Sequence, residues 1–179
     1  MIKDFKFIIS IMDGFVKQTS IQNKLNVIDE CYITGWEIWF QIELASYLDN
    51  HYNVSEWYRE EQYYMDKRKS KYKSKMAVDF LVRQKNTKKD SYIAVELKQH
   101  SSTETCIAKM IDDIIKVDSA KQSCTQFRSF WNIGIHKREN SKQVVKEKIQ
   151  KKVKQKNILM HEYIEVRWIP NTNFAYTIF

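Results

Sequence analysis

Proline occurs once and glycine three times in 179 residues. So few breakers exclude a loop-dominated chain and predict long regular elements with little disorder. Cysteine is scarce and scattered, at Cys31, Cys106 and Cys124. An odd count without zinc-ligand spacing makes neither a metal finger nor a disulfide framework. The three are expected to be reduced, buried or inert thiols of a cytoplasmic protein. Long apolar runs are missing too. The stretch 7–12 is too short to span a bilayer, and Asp13 closes it. Asp4 interrupts the start and no small-residue cleavage site follows, so no signal peptide is expected. There is no glycine-rich nucleotide loop, no Ser/His/Asp arrangement and no internal repeat.

What is present is charge and apolar periodicity. Hydrophobic residues make up 43% of the chain, enough for one domain with a full core. Mean hydropathy is -0.57, as expected of a soluble globular chain. Lys and Arg number 30 against 22 Asp and Glu, a formal charge of +8. That balance favours polyanionic partners, nucleic acid first.

Phe5, Ile8, Ile11, Met12 and Phe15 fall at helical spacing, and Ile21, Leu25, Ile28 and Tyr32 continue a second stripe. Residues 1–33 therefore form a helical N-terminal addition packed on the core, with dimerisation or target reading as other uses. Residues 34–136 are the expected core. Thr34 and Glu37 have capping-box spacing and open a helix to Leu48. Its apolar residues cover nearly the whole circumference, which predicts deep burial. At 100° per residue Glu43 falls among Trp36, Trp39 and Tyr47, and Glu37 among Phe40, Gln41 and Leu44. An unpaired buried carboxylate is costly. Glu37 has capping as a structural use and Glu43 has none, so Glu43 ranks first for a functional role and Glu37 second.

Residues 54–65 read as an aromatic-rich first strand, whose Arg59, Glu60 and Glu61 are edge charges or outer members of a site. A basic turn follows at 67–75. Its Lys69, Lys71, Tyr72 and Lys73 are candidates for gripping a nucleic-acid backbone, the alternative being a solvated hairpin tip. Then come two apolar runs joined by a polar turn near Thr87 and Lys88: Met76-Ala-Val-Asp79-Phe-Leu-Val and Tyr92-Ile-Ala-Val-Glu96-Leu-Lys98-Gln99. Alternation puts Glu96 and Lys98 on one strand face and Val95 and Leu97 on the other. Antiparallel pairing about the turn sets Asp79 opposite residues 95 to 97. Two carboxylates and an ammonium then share one place.

His100 extends the second run as an exposed or substrate-touching group. Ser101 and Glu104 again have capping-box spacing. The next helix turns Ile107, Ile111, Ile114 and Ile115 inward and pairs Asp112 with Lys116. Lys109, Asp113 and Lys116 are further options for the cleft. A crossover returns residues 127–136 as a strand beside the Glu96 strand. Residues 137–179 complete the domain. They hold a basic amphipathic helix at 141–156, with Val145, Ile149 and Val153 on one side, and a strand at 163–169 closed by Pro170.

The spacing Asp79-x16-Glu96-x-Lys98, in a helix, strand, Asp-strand, Glu-x-Lys-strand, helix, strand order, resembles the PD-(D/E)XK nucleases, the restriction-endonuclease-like superfamily. The proline that precedes the Asp in that family is replaced by Val78. The resemblance implies an α/β (α+β) fold with a central mixed sheet of four to five strands flanked by helices. It implies Asp79 and Glu96 as ligands of Mg²⁺ or Mn²⁺, Lys98 as the group assisting the attacking water, and a Glu from the first core helix at the site. Hard cations favour such carboxylate oxygens. The expected activity is hydrolysis of phosphodiester bonds in nucleic acid, DNA ahead of RNA, by a protein that does not enter membranes and has homodimerisation as an option. The competing expectations are an inactive binding module on the same scaffold, of immunity or regulatory type, and an unrelated α/β interaction protein whose acids are structural.

Overall fold

The computed structural model describes residues 1–64, 75–121 and 127–179. Three helices come first: α1 (Ile2–Val16), α2 (Thr19–Glu30) and α3 (Glu37–Asp49). A meander follows of β1 (Val54–Tyr64), β2 (Lys75–Gln84) and β3 (Ile93–Gln99). Helix α4 (Thr103–Lys121) crosses to β4 (Ser129–Lys137), and α5 (Lys142–Lys156), β5 (Glu165–Trp168) and β6 (Phe174–Ile178) complete the chain. The sheet order is β1-β2-β3-β4-β6-β5. Only β3 and β4 pair in parallel, and every other neighbouring pair is antiparallel.

Helices cover both faces of this mixed sheet. On one face Ile8, Met12 and Phe15 of α1 and Phe40 and Leu44 of α3 pack against Phe80, Val95, Leu97, Trp131 and Tyr176. On the other, Cys106, Ile107, Met110 and Ile111 of α4 meet Val145 and Ile149 of α5 and the chain's last residue, Phe179. Gly134 on β4 lets α4 sit this low, because a Cβ there would collide with Met110 Sδ and Cys106 Sγ. Gly134 is the residue that pairs with Lys98, so this close approach brings α4 down beside the Glu-x-Lys segment.

Several expectations change. Among the described residues the sheet has six strands, not four to five. Strand β6 is buried at every position, so it lacks the alternation that marks a half-exposed strand. The segment 1–33 carries two helices packed on the core as expected, and its burial is deep, with Met12 and Leu25 fully buried. Tyr32 does not continue the α2 stripe: it lies past the helix, at φ 54 and 87% exposed. Helix α3 is not deeply buried, because Ile38 and Ile42 face outward. Neither expected capping box forms: α3 has no side-chain cap, and Ser102, not Ser101, accepts the Thr105 N–H at the start of α4. Asp112 pairs with Lys156, while Lys116 pairs with Asp113. No helix among the described residues is long and apolar enough to cross a membrane.

Candidate active site

The β2–β3 register runs Val82↔Ile93, Leu81↔Ala94 and Phe80↔Val95. One step further sets Asp79 against Glu96, and there side chains take over the rung. The Leu97 N–H donates to Asp79 Oδ2 at 2.7 Å, and the Asp79 N–H donates to Glu96 Oε2 at 3.3 Å. Main-chain donors that would otherwise need carbonyl partners are satisfied by carboxylates.

Val95 and Leu97 turn toward α1–α3, so period-two alternation sends Glu96 and Lys98 toward α4. Lys98 Nζ donates to Glu96 Oε1 at 2.6 Å and lies 3.1 Å from Asp113 Oδ2 of α4. It also donates to the Leu97 carbonyl at 3.0 Å. The Glu96, Lys98 and Asp113 side chains are only 14, 16 and 8% exposed. Asp113 Oδ2 is buried with the Lys98 ammonium as its partner, and Asp113 Oδ1 pairs with Lys116 at 2.5 Å. From the first turn of α3, Glu37 Oε2 accepts the Gln99 N–H at 3.0 Å. Three elements, β2, β3 and α4, thus bring carboxylates around one ammonium at the C-terminal end of β3, and α3 adds Glu37 on the neighbouring main chain.

Charge is out of balance here. Burial raises the pKa of Asp79, opposed by the Leu97 amide and Lys98 and aided by Glu37 and Asp113. Burial, and then the Asp79 charge, push Glu96 up to about 7 despite the Lys98 ammonium against it. Burial disfavours the Lys98 charge, but Glu96, Asp113 and Asp79 outweigh it and hold the ammonium above its ordinary value. Lys98 is therefore a permanent cation at neutral pH, a donor and charge stabiliser rather than a proton acceptor. Beneath it, burial pushes the Cys106 thiol up to about 12, so this cysteine is inert.

The structure brings together Asp79, Glu96, Lys98 and Glu37. It does not bring Glu43 to them. Glu43 Oε1 accepts the Trp39 indole N–H at 3.0 Å and pairs with Lys24 of α2. The order expected for the two glutamates is thus reversed: Glu43 has a local partner one turn back, whereas Glu37, free of capping duty, reaches β3. Asp113 stands much closer to the centre than its rank among three cleft options implied. Its signal in sequence was weak, an acid one turn past the buried Met110. His100 Nδ1 accepts the Ser102 N–H at 2.9 Å and takes no part in the cluster. Lys69, Lys71, Tyr72 and Lys73 lie outside the described residues.

Among the described residues no three His, Cys, Asp or Glu side chains form a ready-made metal cage. The donor chemistry nevertheless fits a hard divalent cation: the carboxylates of Asp79 and Glu96, the Leu97 carbonyl beside them, and the further negative charge of Asp113 and Glu37 close by. Such an ion would compete with Lys98 for Glu96 and would lower the energy of both raised carboxyls. Comparison with protein-family models, curated proteins and solved structures found no match to this chain.

Proposed function

We propose that the protein is a metal-dependent nuclease of restriction-endonuclease-like fold that hydrolyses phosphodiester bonds of nucleic acid, DNA ahead of RNA. One observation carries this: Asp79, Glu96 and Lys98 converge with Glu37 and Asp113 in a partly buried cluster holding more carboxylates than cations. The basic balance of the chain supports a polyanionic substrate.

Asp79 and Glu96, with the Leu97 carbonyl, would hold Mg²⁺ or Mn²⁺. When bound, the ion supplies positive charge to the scissile phosphate and lowers the pKa of a water. The chain's own groups do the rest. Lys98 donates to the attacking water or to the phosphate oxygen that gains charge, and its fixed protonation suits that work. Asp113 holds the same ammonium from α4, so Lys98 keeps a partner when Glu96 turns to the ion. Glu37 ties the main chain at Gln99 and steadies the strand end that carries Lys98. The test is cleavage of plasmid and labelled oligonucleotides with Mg²⁺, with Mn²⁺ and with EDTA. Glu96→Ala and Lys98→Ala proteins should lose the divalent-dependent cleavage of the wild type. Equal cleavage by all three would overturn the proposal.

One observation favours a second reading, an inactive binding module on the same scaffold. Lys98 already supplies a cation to Glu96 and Asp113, so the cluster holds together without any ion. A Mn²⁺ titration of the folded protein separates the two: saturable binding lost in Glu96→Ala supports the nuclease, and none supports the module.

A further inference from the structure

A cleft of about 430 Å³ adjoins the cluster at the C-terminal ends of the parallel pair β3 and β4. Three elements each give one residue to the cleft and a near neighbour to the cluster. At the start of α3 these are Trp36 and Glu37, on β3 Gln99 and Lys98, and on α4 Lys109 and Asp113, one turn apart. The cleft and the cluster therefore share the C-terminal end of β3. Crevices at the carboxyl ends of parallel strands are the usual ligand sites of open α/β sheets.

The lining states what kind of ligand fits. Trp36 and Phe174 provide an apolar wall. Lys109 is exposed and makes no ion pair among the described residues, whereas Lys137, across the cleft, is held by Asp29 and lies over the Phe174 ring. With Nδ1 of His100 accepting, its Nε2 carries the hydrogen and is a donor. At the lip, Tyr32 holds an aromatic ring 87% in solvent from a backbone at φ 54. That left-handed conformation is strained for a bulky residue. An aromatic lip above a cationic rim selects a planar base joined to a phosphate.

We infer that this cleft receives an unstacked nucleotide next to the scissile phosphate. Its base stacks on Tyr32 and its phosphate meets Lys109, so the preferred substrate is single-stranded or has an unpaired strand end. The identity of the ligand rests on the nuclease proposal, but the test reads binding alone. Fluorescence anisotropy in EDTA compares a labelled short single strand with the blunt duplex of the same sequence. The wild type should bind the single strand more tightly. Tyr32→Ala should weaken that binding about tenfold and change duplex binding less than about twofold, while Tyr32→Phe keeps it. Lys109→Ala should lower the salt slope for the single strand by about 0.7. A duplex preference in the wild type, an unchanged Tyr32→Ala, an equal loss on duplex or an unchanged salt slope in Lys109→Ala would each overturn the assignment. Protein that shows the expected binding but no cleavage with divalent ions would sink the nuclease proposal and leave the cleft standing.

Discussion

The β1–β2–β3 meander carries two clusters of charge, one at each end of β3, and they behave in opposite ways. At the start of β3, Glu56 accepts from the Tyr92 hydroxyl, the Arg83 guanidinium and the Tyr58 hydroxyl. These bonds hold its carboxyl down at about 2, with Tyr92 the largest influence. One carboxylate is surrounded by three donors in a partly solvated place. At the far end Asp79, Glu96 and Asp113 surround Lys98 with Glu37 nearby, burial dominates, and the Asp79 and Glu96 carboxyls rise. The first arrangement ties strands together. The second gathers like charges that a further cation would relieve.

Substitutions can break this contrast, and the largest effect belongs to cleavage. Lys98→Ala should slow the proposed hydrolysis roughly 100- to 1000-fold, the usual cost of losing one transition-state donor, and Glu56→Ala should leave its rate unchanged; single-turnover assays decide. Stability should answer the other way. Glu56→Ala strands Arg83 and Tyr92 and should cost about 1–2 kcal/mol in urea unfolding, the partly screened loss of charged hydrogen bonds. Asp79→Asn keeps an acceptor for the Leu97 amide while removing a charge, so in EDTA it should gain about 1 kcal/mol.

The pH dependence sharpens the comparison. Glu96 has a folded pKa near 7, above its ordinary 4.5. Between those values the folded state binds more protons than the unfolded one, so stability falls as pH rises through the window. Urea midpoints measured in EDTA from pH 5 to pH 8 should show that fall, and Glu96→Gln should flatten it. The smallest effect is expected of Glu43→Gln: less than about 1 kcal/mol, as for exposed pairs, with no change in cleavage. A lost rate in that variant would return Glu43 to the site.

How much of this was legible before the fold was known depends on how far each partner lies along the chain. Asp79, Glu96 and Lys98 could be placed together because a hairpin has one natural register and a strand has a period of two. The choice between Glu37 and Glu43 could not be made in the same way. Both sit on one helix, and the deciding contacts are the Gln99 amide, 62 residues away from Glu37, and Lys24 on α2. Strand β6 was hidden for a different reason: burial on both faces erases alternation. The outward Ile38 and Ile42 show the converse, since an apolar helix need not be covered all round.

By itself the sequence determined the alternating hairpin, its two acids and its lysine, because side-chain direction along a strand is a local property of the backbone. Only the tertiary structure decided which helix acids join them. That followed from the seating of α4 on Gly134 and from α3 meeting the end of β3, contacts between segments whose separation leaves no periodic trace in the chain.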